Sequence, residues 1–245
     1  ITIATGCLSA LLYVRHARRV TDPILDLRLL RNPVFRAAIV GGTIYRVGVG
    51  ATPFLLPLLF QLGFGMTPFQ SGLLTLASAA GALSMKLFAP ATLRRGGFRT
   101  VLIGAAVLSA VFVALNALLT PSTPWAVIVA LLFGAGFLRS LFFTSVNALA
   151  FAEVEETEAS QATTISAAAQ QISVALGVAL GGGILEASTW FTGHALTAEG
   201  FTVAFLAIAA VAASSAIVFA QMPKGAGSAV SGHQPQASAG AGSRL

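Results

Sequence analysis

Hydrophobic residues run along this chain in long blocks, separated by short breaks that contain charged residues, proline or glycine. Each block is close to the ~20 residues that a helix needs to cross about 30 Å of hydrocarbon. The pattern predicts six membrane-spanning helices, at residues 37–60, 70–92, 100–119, 124–149, 160–186 and 200–221.

The two ends of the chain differ from these blocks. Residues 1–14 are apolar but, at about 21 Å as a helix, too short to span a bilayer, and they lack the features of a signal peptide. We expect them to be the end of a truncated transmembrane helix in the C-terminal part of a longer protein. Residues 222–245 are rich in glycine, serine and alanine, so they are predicted to form a disordered tail.

The composition supports this class of protein. Apolar residues make up 56% of the 245 residues and charged residues only 9%, and the mean hydropathy is +0.86. A soluble domain normally carries about 25% charged residues. An ordinary water-soluble globule is therefore excluded, and the predicted fold class is an all-α integral membrane protein with the lipid bilayer as a partner.

The positive charges lie on one side of the predicted membrane. Of the 14 Lys and Arg residues, three lie inside spans and eleven outside them. With alternating spans, all eleven fall in a basic linker at 15–36, the loop 93–99 and the tail. By the positive-inside rule this side, with the C-terminus, is cytoplasmic, and the protein belongs in a cell membrane such as a bacterial inner membrane. The loop residues concerned are Arg94, Arg95 and Arg99.

The net charge of +6 is thus explained by topology, and no nucleic acid is expected as a partner. The single cysteine, Cys7, cannot form an intrachain disulfide. No His, Cys, Asp or Glu cluster has metal-ligand spacing, and no catalytic motif is found. The sequence therefore predicts no metal, no cofactor and no enzymatic activity.

Arg46 lies inside the first span, where ten residues after Arg36 place it roughly 15 Å deep. A charge at this depth costs about 2.5–3.5 kcal/mol even on insertion scales, so it should face a cavity or the bundle interior. An arginine that snorkels or locks helices together is the alternative. At 100° per residue, the same helix face carries Thr43, Gly50, Pro53 and Pro57.

Arg139 lies in the fourth span, again near the middle of the membrane, because Trp125 and Glu153 at the span ends are equally distant from it. Ser140, Thr144 and Asn147 share its arc of the helix.

The fifth span carries a narrow polar stripe at three- and four-residue steps, formed by Thr163, Ser166 and Gln170 and continued by Gly177. Three helices could thus present polar faces to a common substrate cavity. Helix packing through serine and glutamine hydrogen bonds is the alternative for the stripe.

Counter-charges for the buried cations are missing from the spans, since no Asp or Glu lies in the middle of one. They must come from the rest of the protein, from an anionic ligand or from water in a cavity. Lys86 is a weaker candidate for the cavity, because its long side chain can snorkel towards the cytoplasm.

Several stretches of the sequence together resemble the C-terminal portion of fourteen-helix major facilitator superfamily transporters, most closely the drug:proton antiporter branch. The stretches are "PILDLRLLRNPVFR", "FLLPLLFQLGFGMTPFQSGLLTLASAAGALSMKLFAPATLRRGGFRTVLIGA" and "GAGFLRSLFFTSVNALAFAEVEETEASQATTISAAAQQISVALGVALGG".

The resemblance implies a six-helix C-terminal bundle that works by alternating access with a missing N-terminal half of the same protein. The expected function is proton-coupled efflux of drugs or other small organic molecules. In that setting Gly177 and Gly181, four residues apart, would permit close approach of helices. Three alternatives stay open: transport of an organic anion or metabolite, an integral-membrane enzyme, and a membrane scaffold or sensor that transports nothing.

Overall fold

The computed structural model describes residues 27–192, 198–223 and 225–231, together with the isolated positions 6, 12, 13 and 15. Apart from these isolated positions, the predicted helix end at 1–14 lies outside the described residues, as do residues 16–26 of the linker 15–36 and the tail after residue 231. All regular secondary structure in the described part is helical.

The helices are α1 (Pro33–Gly50), α2 (Thr52–Leu58), α3 (Pro68–Leu115), α4 (Trp125–Phe151), α5 (Ala159–Thr192), α6 (Ala198–Ala220) and α7 (Ser228–Ser231). A π-helical turn at Leu59–Gly63 follows α2, and 3-10 turns occur at Leu27–Arg31, Asn116–Leu118 and Glu156–Glu158.

Six segments of the described chain are long and apolar enough to cross a membrane. This finding confirms the predicted all-α integral membrane fold with six spans. The first segment combines α1, α2 and the π turn, and α3 supplies the second and third. Their bounds are Pro33–Gly63, Pro68–Phe88, Ala91–Leu118, Trp125–Phe151, Glu156–Trp190 and Gly200–Ala220.

Polar caps fix where the first two long helices begin. The Oδ1 atom of Asn32 accepts hydrogen bonds from the backbone N–H groups of Val34 and Phe35, at 2.9 and 3.1 Å. Thr67 and Gln70 form a reciprocal capping box at the start of α3. A proline follows each N-cap, where its missing N–H costs no hydrogen bond. The first helix therefore begins at Pro33, before the predicted residue 37.

The first span is not one regular helix. The α1 helix ends at Gly50, Pro53 lies in the first turn of α2, and Pro57 lies inside α2 shortly before the π turn. Proline removes a backbone donor and its ring clashes with the preceding turn, which explains the break.

A reversal at Gly97 divides α3 into two arms. Gly97 has φ 64° and ψ 165°, a conformation that side chains with a Cβ rarely adopt. We call residues 68–96 α3a and residues 98–115 α3b. The predicted loop at 93–99 is thus reduced to a turn between two nearly continuous helices.

Aromatic side chains join four elements in the core. Tyr45 of α1 stacks on Phe142 of α4 with ring centroids 3.6 Å apart, and Phe142 meets Phe219 of α6 edge-on at 5.6 Å. The Tyr45 hydroxyl donates to Ser109 Oγ of α3b at 2.8 Å. This cluster holds α1 fixed against the rest of the bundle.

Two glycines let α3a and α4 approach until their backbones touch. A Cβ at Gly136 would lie 2.0 Å from the carbonyl oxygen of Ser78, and one at Gly81 would lie 2.0 Å from that of Phe133. Small residues permit this kind of contact between membrane helices.

Glu153, just beyond the end of α4, forms hydrogen bonds with Asn32, just before α1, and with Gly227, just before α7. Its Oε1 accepts from the backbone N–H of Gly227, and its carbonyl oxygen accepts from the Asn32 side chain, both at 3.2 Å. A Cβ at Gly227 would meet the Phe98 ring at 2.7 Å. Residues 225–231 therefore pack on the bundle, and the disorder predicted for the tail 222–245 stays a prediction. The missing side chain of Gly227 allows this close contact.

Candidate functional site

An open cleft of about 540 Å³ lies between α1, α2, α3a, α4 and α5. Seven of the predicted site residues line it: Arg46, Gly50, Pro53, Arg139, Ser140, Thr144 and Asn147. Val49, Ala82, Lys86, Phe143 and Val174 complete its wall. The polar faces predicted on the first and fourth spans are thus adjacent in the structure.

Arg46 is held at the wall of this cleft by two groups of α4. Its Nη2 atom donates to Asn147 Oδ1 at 3.1 Å, and its guanidinium carbon lies 5.3 Å from the centre of the Phe143 ring. Cation–π attraction at this distance supplements the hydrogen bond. Only 7% of Arg46 is exposed. Gly42 makes room for it, since a Cβ there would lie 2.9 Å from Arg46 Nη1.

Arg139 ties α4 to α3a. Its Nη2 donates to Ser78 Oγ at 3.1 Å, and the neighbouring Ser140 hydroxyl donates to the Ala82 carbonyl oxygen at 2.9 Å. These bonds lie beside the close contact of Gly136. Arg139 also lines a second, smaller cavity of about 20 Å³.

Across the described ranges, the charged side chains that line the cleft are all basic. Arg46, Lys86 and Arg139 are among the residues that line it, and no acidic residue of the described chain does so. Within the described residues, neither guanidinium group makes an ion pair with a carboxylate. The wall thus offers hydrogen-bond donors and positive charge to a bound molecule, beside the apolar surfaces of Phe143 and Val174.

Phe143 is a cleft residue that the sequence pattern did not single out, and Lys86 is one that it made only a weaker candidate. Phe143 follows Arg139 by four residues, a spacing that places both on one helix face. Lys86 lies one helical turn after Ala82 and two turns after Ser78, so the three residues share one face of α3a. This shared face of small residues is the signal that could have identified Lys86 as a cleft residue. Lys86 lines the cleft, and the extension of its side chain towards the cytoplasm stays a prediction.

The polar stripe of α5 does not line the cleft, where Val174 is the only lining residue from that helix among the described residues. Thr163 donates its hydroxyl to the Ala159 carbonyl oxygen of its own helix at 2.8 Å. Ser166 is buried without a hydrogen-bond partner for its hydroxyl. Thr43, Thr163, Ser166 and Gln170 are absent from the wall, so their contact with a substrate stays a prediction.

The predicted packing glycines lie where α5 crosses the first span. A Cβ at Gly177 would lie 2.7 Å from the Val47 carbonyl oxygen, and one at Gly181 would lie 2.6 Å from Ala51 Cβ. Gly50 faces Gly177 at this crossing. The closest approach therefore occurs where the first span is interrupted between Gly50 and Thr52. Pro57 lies away from the cleft wall, inside α2.

Among the arginines of the predicted cytoplasmic loop, Arg99 has a defined structural contact. Its Nη2 donates to the carbonyl oxygen of Ala220, the last residue of α6, at 2.5 Å. Cations stabilise helix C-termini, where the backbone carbonyls lack partners. Arg94 and Arg95 are exposed at the same end of the bundle. In the described part of the chain, no group of three His, Cys, Asp or Glu residues could hold a metal ion.

Comparison with known proteins places these features in context. The sequence model described as "Major Facilitator Superfamily" matches residues 38–240. A protein of Pectobacterium carotovorum named "Putative multidrug resistance protein MdtD" is 31% identical over 224 residues, which cover 90% of this chain and 48% of that protein. Proteins of the same name from Yersinia enterocolitica and Klebsiella pneumoniae are each 30% identical, covering 99% and 92% of this chain. The chain spans about half the length of these relatives.

Proposed function

This chain belongs to the Major Facilitator Superfamily, and on that basis we propose that it forms one half of a proton-coupled secondary transporter that exports drugs or other small organic molecules. The other half is the part of the same protein that corresponds to the remaining length of its relatives. The name of those relatives supports drug resistance as the physiological outcome. No cofactor or nucleic acid takes part.

The observation that carries this proposal is the cleft lined by Arg46 and Arg139. It lies on spans of a multi-pass membrane protein, and its wall combines donors with apolar surface. Binding sites of transporters of this kind lie near the bilayer midplane between two bundles that rock against each other. A midplane cleft in one half supplies part of such a site, and the second half closes it.

Each lining residue has a task in this mechanism. Asn147 and Phe143 hold the Arg46 guanidinium group in place, so that its remaining N–H groups can bind a substrate oxygen. Ser78 positions Arg139 in the same way. The interrupted first span, between Gly50 and Thr52, provides a place where the cleft wall can bend as access alternates. The carboxylate that loads and releases a proton is expected in the other half.

An organic anion is the second candidate substrate. The specific observation is the set of three cations in the wall, Arg46, Lys86 and Arg139, with no acidic residue beside them in the described part. A carboxylate, sulfonate or phosphate group would supply the counter-charge that the cleft lacks, and the planar guanidinium groups match such anions.

Filling the cleft should stop transport without unfolding the protein. Thr144 lines the cleft and is exposed in this chain, so we expect a Thr144→Trp variant of the full-length protein to keep its folded yield and lose at least tenfold in transport rate. The indole group would project from α4 into the cleft of about 540 Å³ and narrow the space beside Ser140 and Asn147. Transport is measured in everted membrane vesicles with a cationic, a neutral and an anionic dye.

Ile172→Trp is the matched control, because Ile172 is 59% exposed but does not line the cleft. It should transport at close to the wild-type rate. Full activity of the Thr144→Trp variant would contradict a substrate path through the cleft. Transport of the anionic dye alone would favour the second candidate, and export of the cationic or neutral dye would favour the first.

We also propose that the end of the bundle with Arg94, Arg95 and Arg99 faces the cytoplasm of a cell membrane, together with the C-terminus. The support is the excess of Lys and Arg in the loops of that side. A reporter enzyme fused after Pro121 should report an external position, and one inserted after Arg95 a cytoplasmic one. A cytoplasmic signal from the Pro121 fusion would reverse this orientation.

A further inference from the structure

An internal cavity lies behind Arg139, inside the six-helix bundle. Its volume is about 20 Å³, and its wall comes from α1, α2, α3a, α3b, α4 and the 3-10 turn Asn116–Leu118. The polar lining residues are Tyr45, Thr52, Ser78, Ser109, Asn116 and Arg139. Polar side chains from this many elements converge on a space too small for an organic substrate.

Two buried polar atoms of this wall have no protein partner. Thr52 is 7% exposed and Asn116 only 1%, yet Thr52 Oγ1 and Asn116 Oδ1 make no hydrogen bond. The amide nitrogen of Asn116 is satisfied, since it donates to the carbonyl oxygens of Phe112 and Val113 at 2.8 and 3.2 Å. Buried polar atoms without a partner are rare in native proteins, because each loses its hydrogen bonds to water.

We propose that this cavity binds one water molecule, which donates to Asn116 Oδ1 and bonds with the hydroxyl of Thr52. A site needs about 10–15 Å³ of such volume and two to four polar partners to hold a water molecule, and this cavity meets both conditions. A halide ion would fit the volume and the guanidinium group of Arg139. However, the carbonyl oxygen of Asn116 carries a partial negative charge and would repel an anion. It needs a hydrogen-bond donor, which water supplies.

The bound water completes the environment of Arg139. This side chain lines both the small cavity and the open cleft, and it donates to Ser78, which lines the small cavity. The water gives Arg139 a further polar neighbour within the cavity. The site therefore solvates a cation of the cleft from behind, and its existence does not depend on what the cleft transports.

Removing the hydroxyl of Thr52 tests the site by the sign of its effect on stability. Thr52→Val keeps the side-chain shape but leaves the water with one partner fewer, so the melting temperature of the full-length protein in detergent should fall by about 2 °C. If the hydroxyl has no partner, its removal should leave the melting temperature unchanged or raise it, since an unsatisfied buried group is lost.

Ser145→Ala is the matched control, because the Ser145 hydroxyl is also buried without a partner but does not line this cavity. Its melting temperature should be unchanged or higher. A high-resolution experimental density map of the wild-type protein should show a peak within hydrogen-bonding distance of both Thr52 Oγ1 and Asn116 Oδ1. The absence of such a peak would overturn the proposal. It would also be overturned if chloride raised the melting temperature more than gluconate did and Thr52→Val abolished that difference, because the occupant would then be an anion.

Discussion

A Gly136→Ala variant of the full-length protein is expected to fold poorly and to lose most of its transport activity. The new Cβ atom would lie 2.0 Å from the carbonyl oxygen of Ser78 and 2.7 Å from its carbonyl carbon. Both are backbone atoms of α3a, so the helices must separate, and overpacking of this kind costs about 1–3 kcal/mol or more. Folded yield after size-exclusion chromatography in detergent measures the effect.

The same substitution acts on the cleft. Arg139 follows Gly136 by three residues and bonds to Ser78 itself, so separation of the two helices displaces the guanidinium group. Any protein that folds should therefore transport at a reduced rate per folded molecule. Gly104→Ala is the control, since a Cβ there meets nothing within 4 Å and alanine favours a helix by about 1 kcal/mol. Equal yields for both variants would refute the close contact.

Replacing Arg46 by alanine should have the second large effect, on transport rather than on folding. We expect a transport rate at least tenfold below wild type, with a folded yield within about twofold of it. Removal of a buried cation relieves its desolvation cost, and the Asn147 oxygen that loses its donor lies beside the open cleft. Arg46→Lys should restore transport only in part, because an ammonium group cannot form the planar two-pronged contact of arginine.

The experiment pairs folded yield in detergent with the rate of transport in vesicles. Arg36→Ala is the control for loss of one positive charge from α1, since Arg36 is exposed and lies outside the cleft wall. A collapsed yield for Arg46→Ala would indicate instead that Arg46 pairs with an acid elsewhere in the protein and locks the bundle. Normal yield and normal transport together would leave Arg46 without a role in the cycle.

The sequence was sufficient to predict the membrane-spanning class and much of one wall of the cleft. Block length and composition are properties of the chain itself, so six spans follow from them. The faces that carry Arg46 and Asn147 follow from helical periodicity, and the structure joins these two residues at 3.1 Å. The contact between them depends on how α1 packs against α4, and helical periodicity alone does not predict that packing.

The contacts that escaped prediction depend on the relative position of helices. The stripe on α5 has the same spacing as the faces of α1 and α4, but the hydroxyl of Thr163 is satisfied by its own helix. A single sequence does not distinguish such a bond from a contact with substrate. The approach of Gly136 to Ser78, and the packing of Gly227 on Phe98, likewise require the three-dimensional structure.

The bond between Arg46 and Asn147 joins residues 101 positions apart, and this separation has a consequence for biosynthesis. At roughly 5–20 residues per second, Asn147 leaves the ribosome about 5–20 s after Arg46. During that interval the translocon must insert a helix whose central cation still lacks its acceptor. The insertion of such a cation costs about 2.5–3.5 kcal/mol. The apolar residues of the same segment, each contributing about 0.3–0.6 kcal/mol when they are Leu, Ile, Val or Phe, must carry the insertion alone. The first span, with a mean hydropathy of 1.4, is therefore expected to insert less well after any further loss of hydrophobicity.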